Sequence, residues 1–170
     1  MAPPERPSLA DLAARNGVPV PCAGNLPVDL DDPDFCWFID EGSVDLFLVE
    51  KRDGVQQSAP QHLLRADAGR LLPGVVPDDG ETTLSLIAKG LPGTTIRRLP
   101  AADLGTARHD QLAAQVDAWL SDVSAMLVRD IMNRPRPDVL VEPGQAPPAD
   151  RRTLSARRGV VWVSGLTTGA

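Results

Sequence analysis

The feature that most constrains the fold is a series of short segments in which apolar and polar residues alternate, separated by turns containing glycine or proline. The clearest pair is Phe35–Ile39 and Val44–Leu48, which flank Gly42. Side chains of a β-strand point alternately to two faces, so this period of two predicts two strands. The short joint predicts that the strands form a hairpin, with Gly42 at a positive φ that other residues resist.

Further strands are predicted on both sides of this pair. Asn25–Leu30 is predicted to be a short strand that precedes it. Many short strands at this spacing favour a β-barrel or sandwich over alternating β and α units. The segments predicted to be strands after the pair are residues 61–66, 70–72, 82–88 and 94–99.

A short helix is predicted before the strands and a long one after them. Ser8 is a suitable N-cap for a helix that ends at about Asn16. From His109 to Met132 the apolar residues recur at steps of three and four, which predicts one amphipathic helix. Its polar face, expected to meet solvent, includes Gln111 and Gln115.

The apolar stripe of the long helix carries a prediction about partners. Most of the stripe is expected to pack on the barrel. Trp119, Met126 and Ile131 are predicted instead to meet a second copy of the chain, because apolar surface of this kind is covered in stable oligomers.

The chain is predicted to have three parts. Residues 1–24 form an N-terminal helix and linker, and residues 25–132 form the β-barrel and its helix. Residues 133–170 form a proline-rich linker and the start of a further β segment at Gly159–Val163, which is expected to continue beyond this chain. The arginine cluster Arg151–Arg158 is predicted to be a solvated loop; the alternative is contact with lipid headgroups or an acidic partner.

Composition excludes several classes of function. The net charge of −6, without a basic run, argues against a nucleic-acid partner. No apolar run approaches the roughly 20 residues that span a bilayer, so a cytoplasmic segment is expected. The two cysteines, Cys22 and Cys36, have no CxxC spacing and are expected to be reduced thiols. His62 and His109 have no partner at ligand spacing, so no metal site is predicted.

The order of these elements resembles the cyclic-nucleotide-binding-like fold, a jelly-roll β-barrel related to cupins and followed by a helix. More closely, the chain resembles the N-terminal region of NHLM-type bacteriocin-export ABC transporter subunits. The matching segments are Leu30–Asp34, Trp37, Glu41–Phe47, Leu91–Thr94, Ile96–Pro100, Trp119 and Gly159–Val163.

The resemblance implies a parent protein at the bacterial inner membrane, with this segment on the cytoplasmic side. The parent would bind ATP and Mg²⁺ outside these residues, since no GxxxxGK[ST] phosphate loop occurs here. The segment itself would need no cofactor. Its partners would be a transporter subunit, a second copy of itself, or a peptide cargo or leader.

The cyclic-nucleotide-binding family holds its ligand with a glutamate for the ribose and an arginine for the phosphate. The glycine of that motif corresponds to Gly74, but Val75 occupies the glutamate position, and no arginine occurs between Arg70 and Arg97. A pocket without its phosphate cation would leave a desolvated anion unpaired. Ordinary cyclic-nucleotide binding is therefore not expected.

Three functions remain open. The first is a non-catalytic interaction or regulatory module of the exporter. The second is a sensor of a nucleotide-like small molecule in a non-standard pocket, for which Arg70, Glu81 and Arg97 are the candidate ligand-binding residues. The third, a cupin-type enzyme, needs clustered histidines that the chain lacks.

Overall fold

The computed structural model describes residues 6–76, 83–129, 137–146, 153–157 and 160–162. The chain forms two compact units, Met1–Gln115 and Val116–Ala170. The first unit contains the β-roll, and the helix that follows the roll runs from the first unit into the second.

The helices are α1, Leu9–Asn16, and α2, His109–Arg129, with a short 3-10 helix at Ala101–Thr106. The strands are β1, Val18–Val20; β2, Val28–Asp29; β3, Phe35–Glu41; β4, Ser43–Arg52; β5, Val55–Gln56; β6, Gln61–Asp67; β7, Leu71–Pro73; β8, Thr83–Gly90; β9, Thr95–Pro100; β10, Val139–Val141; and β11, Leu154–Ala156.

The roll consists of two antiparallel sheets. One has four strands in the order β1-β9-β3-β7. In the other, β4 is flanked by β8 on one side and by β5 and β6 on the other, and β2 pairs with β8. The predicted fold class, a mainly β roll of jelly-roll type followed by a long helix, is confirmed. The segment predicted to be a strand at Asn25–Leu30 has only two strand residues, Val28 and Asp29.

The predicted hairpin is wrong, although both of its strands are present. Strand β3 pairs with β7 and β9, whereas β4 pairs with β5, β6 and β8 in the other sheet. Only Gly42 separates the two strands, and one residue is too short a loop to reverse the chain. The strand bends at Gly42 instead and crosses from one sheet to the other.

The Thr94 side chain binds both backbone polar groups of Ser43 at this bend. The Thr94 hydroxyl accepts a hydrogen bond from the Ser43 amide at 3.1 Å and donates one to the Ser43 carbonyl at 2.7 Å. Gly42 has a φ of 76°, as predicted for a positive-φ glycine. A Cβ atom at Gly42 would lie 2.7 Å from Thr94 Oγ1 and 2.8 Å from Thr94 Cα. The bend therefore needs glycine for both its conformation and its space.

Two neighbouring strands cross between the sheets at the same end of the roll. β6 leads into β7 through Ala68–Arg70, where the Ala68 amide donates to the Gly42 carbonyl at 3.0 Å and the Gly69 amide to the Ile39 carbonyl at 2.8 Å. β8 leads into β9 through Leu91–Thr94, where the Leu91 amide donates to the Ser43 carbonyl at 3.0 Å. Together with β3–β4, the pairs β6–β7 and β8–β9 make three long bent strands, and these form most of both sheets.

Helix α1 covers the outer face of the four-stranded sheet. The Ser8 side chain accepts a hydrogen bond from the Asp11 amide and caps the helix, as predicted. An apolar cluster joins the helix to the sheet; its buried members are Leu9, Leu12, Ala13, Cys36, Phe38, Leu71, Leu99 and Ala107. The N-terminal helix is therefore part of the roll's packing.

The prediction that Gln111 and Gln115 face solvent is wrong. The Gln111 side-chain carbonyl accepts from the Leu9 amide at 2.8 Å. The Gln115 side chain accepts from the Leu71 amide at 2.9 Å and donates to the Gly69 carbonyl at 2.9 Å. Both glutamines satisfy backbone groups that a helix N-terminus or a sheet edge leaves without partners.

The second unit contains a two-stranded parallel pair, in which β10 aligns Val139 with Leu154 of β11. The arginine cluster predicted to be a loop therefore contains a strand, although Arg151, Arg152 and Arg158 lie outside the described residues. The strand predicted at Gly159–Val163 is absent from its described part, residues 160–162. The domain boundaries predicted at residues 24 and 132 stay predictions.

The bend at Gly42 generates a stability prediction. Gly42→Ala should lower the free energy of unfolding by about 1–2 kcal/mol for the positive φ and by about 1–3 kcal/mol more for the contact with Thr94. Gly54→Ala is the matched control, because Gly54 has a φ of 74° and open space where the Cβ would lie. Urea denaturation measures both variants, and equal losses would contradict the account of the bend.

Candidate functional site

The interior of the roll is occupied by hydrocarbon side chains. In β3, alternation places Trp37 and Ile39 on the face opposite to the α1 cluster, toward the other sheet. Both are buried, at 3% and 0% exposure. Other fully buried apolar side chains of the roll are Leu30, Val44, Leu46, Val49, Leu72 and Ile96. The charged side chain that β9 adds to this face is Arg98, which pairs with Trp37 in the register. Its Cζ lies 3.5 Å from the Phe35 ring centroid, and its Nη2 lies 3.6 Å from Asp32 Oδ2.

Arg97, one of the predicted ligand-binding residues, is engaged within the chain. Its Nε donates to Asp40 Oδ2 at 2.5 Å, and its Nη1 donates to the Gly17 carbonyl at 3.4 Å. Arg97 pairs with Phe38 in the sheet register, so it shares the face that α1 covers. The guanidinium thus links β9, β3 and the end of α1.

Arg70 lies away from Arg97. It precedes β7, and its carbonyl accepts from the Ile39 amide at 3.0 Å. Because β7 and β9 pair with opposite edges of β3, that strand separates the two arginines. Glu81 lies outside the described residues. The three-residue ligand site therefore stays a prediction, and the structure does not bring its two described members together.

A polar cluster that the sequence did not reveal lies on the outer side of the five-stranded sheet. Arg65 binds Asp45 through two hydrogen bonds, Nε to Oδ1 at 2.8 Å and Nη2 to Oδ2 at 3.0 Å. His62 Nε2 lies 3.2 Å from Asp45 Oδ1. The His62 ring meets Phe47 edge to face at 5.3 Å between centroids, and Lys89 Nζ lies 5.1 Å from the Phe47 centroid.

The electrostatics of this cluster favour an ionised Asp45. Hydrogen bonding from Arg65 lowers the pKa of Asp45 below its usual value; partial burial opposes this effect, and the hydrogen bond with His62 adds to it. Asp45 and Arg65 largely neutralise each other. Lys89 lies opposite Asp45 in the register of β4 with β8, and its ammonium lies over the Phe47 ring, 5.1 Å from the centroid.

Beside this cluster lies a cleft of about 550 Å³. One wall is the loop between β1 and β2, and another is the crossing from β8 to β9. Side chains from β4 and β8 form the floor. The residues that line the cleft are Cys22, Ala23, Gly24, Asp45, Phe47, Lys89, Gly90, Leu91, Pro92, Gly93 and Thr94.

The predicted dimer helix keeps part of its apolar stripe uncovered. Leu112, Val116, Trp119, Val123 and Met126 follow one another at steps of four, three, four and three, the spacing of a coiled-coil seam. Val116 is 51% exposed, and Trp119 and Met126 are half-buried. Ile131, the third predicted dimer residue, lies outside the described residues.

Other chemistry is sparse in the described residues. Cys22 and Cys36 are free and buried. Burial, together with the nearby Asp103 carboxylate, raises the pKa of Cys36 to about 12. Within the described ranges, no three or more His, Cys, Asp or Glu side chains are grouped to hold a metal ion. No helix in the part that the structure describes is long and apolar enough to cross a bilayer.

No protein-family model and no curated protein matches the chain. Similar solved structures include unbound oxidised CprK, with a TM-score of 0.48 and 14% identity over 71% of this chain. Oxidised CprK in complex with o-chlorophenolacetic acid has a TM-score of 0.47 and 16% sequence identity over 72% of this chain. The heme domain of CooA from Rhodospirillum rubrum has a TM-score of 0.45 and 13% sequence identity. The match covers 75% of this chain and 96% of that domain.

This chain spans about half of the CprK chains, 56% and 48% of their lengths. The likeness concerns the backbone fold alone. At these scores it supports no assignment of a ligand, an activity or a partner.

The Asp45–Arg65 pair generates a pH prediction. A carboxyl group whose pKa is lowered by folding stabilises the fold above its unfolded pKa of about 3.9, and this contribution is lost as the pH falls through the folded pKa. Asp45→Asn should therefore be less stable than the wild type near pH 7, with the difference shrinking below about pH 4. Urea denaturation across this pH range measures it. In an Arg65→Gln background the pH dependence of the difference should weaken; an unchanged dependence would contradict the assigned cause.

Proposed function

We propose that this chain is a non-catalytic interaction and regulatory module of an ABC transporter subunit that exports ribosomally made peptides. The proposal rests on the resemblance of the sequence to NHLM-type export subunits, with segments in the same order over most of the chain. In this role the module lies on the cytoplasmic side of the bacterial inner membrane. ATP and Mg²⁺ act in the rest of the transporter.

The observation that carries the proposal is the hydrocarbon interior of the roll. Ile39, Leu46 and Leu72 are fully buried there, and Arg97 is held on the opposite side of its sheet by Asp40. The polar groups that can meet a partner lie on the outer surface, where the cluster of Asp45, Arg65 and Lys89 is found. A module of this kind acts by holding a partner.

The coding sequence that contains this chain tests the transporter assignment. It should continue into several apolar spans of roughly 20 residues and a GxxxxGK[ST] loop. Affinity purification of the full protein from its host membranes should recover a partner transporter subunit. A reading frame without spans and phosphate loop would reject the proposal.

A second copy of the chain is the partner that α2 favours. Its heptad-spaced stripe includes Val116, which is half exposed, and no residue from His109 to Met126 is fully buried. Coiled-coil seams are covered by facing helices with the same spacing. We propose that α2 pairs with α2 of a second copy, through Trp119, Met126 and, beyond the described helix, Ile131.

Val116→Glu tests this pairing. A charge at the seam should convert a dimer into a monomer, since each copy would bury an unpaired carboxylate. Ala114→Glu is the control, because Ala114 is exposed and lies off the stripe. Sedimentation velocity measures the oligomeric state. A wild-type chain that is monomeric at tens of micromolar, or a Val116→Glu chain that is still dimeric, would contradict the pairing.

A small-molecule sensor is the second candidate function, and Trp37 favours it. The Trp37 indole N–H is buried and has no hydrogen-bond acceptor among the described residues. An unsatisfied buried donor costs about 1–3 kcal/mol, and a ligand oxygen inside the roll would remove that cost.

Thermal unfolding with a panel of cyclic nucleotides tests the sensor. Binding to the folded state should raise the melting temperature in proportion to the logarithm of ligand concentration. The rise should disappear in Trp37→Phe, which keeps an aromatic side chain, smaller than the indole, and removes the N–H donor. An unchanged melting temperature at millimolar concentrations would reject these ligands.

A further inference from the structure

The cleft beside the five-stranded sheet has open backbone on its walls. An added Cβ at Gly24, or at Gly93, would meet no atom within 4 Å. Gly24 lies between β1 and β2, and Gly93 lies in the crossing from β8 to β9, so the two glycines come from different walls. A chain entering the cleft could therefore approach backbone on both sides without meeting side chains there.

The two lysines of the chain differ in their ion pairing with the described residues, and the one that lines the cleft has no such pair. Lys51 Nζ is held by Asp29 Oδ1 at 2.7 Å and by Asp31 Oδ2 at 3.0 Å. Lys89, which lines the cleft, makes no ion pair with any described residue, and its ammonium lies over the face of Phe47. In a chain with a net charge of −6, Lys89 is a positive charge left available to a partner.

The remaining charges of the cleft do not cancel Lys89. Asp45 also lines the cleft, but Arg65 binds both of its oxygens. The cleft therefore offers a cation next to an aromatic ring, and Leu91 and Pro92 add apolar surface on the side of the crossing. This combination suits a carboxylate and an apolar side chain that lie close together.

We propose that this cleft docks an extended, acidic peptide segment. One carboxylate of the segment binds Lys89, and a neighbouring apolar side chain packs against Phe47. The proposal rests on the proposed function, in which a cargo or leader peptide is presented to the module, and it assigns that peptide a site and a charge.

The charges favour a peptide over nucleic acid. A nucleic-acid strand presents successive phosphates and needs several cations along its path. This cleft supplies Lys89, while Arg65 is already bound to Asp45. A single half-buried lysine suits one or two carboxylates, and the glycines of the two walls leave room for a peptide backbone.

The first experiment compares three fluorescent peptides that differ only in charge: Leu-Glu, Leu-Gln and Leu-Lys repeats of eight residues. Fluorescence anisotropy with the full chain should show binding of the Leu-Glu peptide at least tenfold tighter than of either other peptide. The difference should shrink as salt rises. Equal binding of the Leu-Glu and Leu-Gln peptides, or absence of binding at millimolar peptide, overturns the proposal.

Substitutions then locate the site. Lys89→Gln should weaken binding of the Leu-Glu peptide roughly tenfold, whereas Lys89→Arg should retain most of it. Gly24→Leu should block the cleft, and its Cβ would meet no atom within 4 Å. Gly105→Leu is its control, because Gly105 also has open space for a Cβ but does not line the cleft. Equal effects of Gly24→Leu and Gly105→Leu would overturn the location.

A second readout does not depend on how well the variants fold. Reductive ¹³C-methylation labels Lys51, Lys89 and the N-terminus of the wild-type chain, since the sequence has no other lysine. Titration with the Leu-Glu peptide should shift the Lys89 methyl signal and leave that of Lys51 in place. If both signals or neither moves, the docking site is wrong even where the coding sequence confirms a transporter. If Lys89 alone moves and the transporter context is absent, the proposed function fails and the acidic-peptide cleft stands.

Discussion

The roll depends on the way one hydroxyl group completes a bent strand. Where β3 becomes β4, the backbone leaves one sheet and enters the other. The Thr94 hydroxyl accepts from the Ser43 amide and donates to the Ser43 carbonyl, which also accepts from the Leu91 amide. Because Thr94 lies at the corresponding crossing of β8 into β9, this contact also fixes the positions of two crossings relative to each other. The same crossing, with its loop, forms a wall of the cleft beside Phe47.

Alternation in the sequence predicted where the strands are, and it could not predict how they pair. Alternation with a period of two shows which side chains share a face of a strand. The same alternation occurs in a hairpin and in a strand that bends from one sheet into another. The positive φ of Gly42 was predicted correctly, but a positive φ serves both kinds of joint. What distinguishes them is a hydrogen bond to Thr94, which is 51 residues away, and a sequence pattern of short range contains no signal for it.

The candidate site was less predictable than the fold. Arg97 was predicted to bind a ligand, whereas the structure pairs it with Asp40, an interaction that depends on the register of β3 with β9. Gln111 and Gln115 fall on the polar side of a helical wheel, and only the tertiary arrangement shows that their amides serve backbone groups of α1 and β7. For Lys89 one signal was present: Phe47 is an aromatic residue at an outward position of a strand. Its neighbours across the sheet, His62 and Lys89, come together only through strand pairing.

The burial of Cys36 beneath α1 gives the molecule a built-in reporter. This thiol has a pKa of about 12 and belongs to the apolar cluster that joins Leu9 and Leu12 to the sheet. A thiolate-seeking reagent in neutral buffer reaches Cys36 when the apolar cluster around it opens, and α1 contributes Leu9, Leu12 and Ala13 to that cluster. The rate of alkylation at Cys36 thus reports how often this cluster opens, a quantity that mass spectrometry can follow.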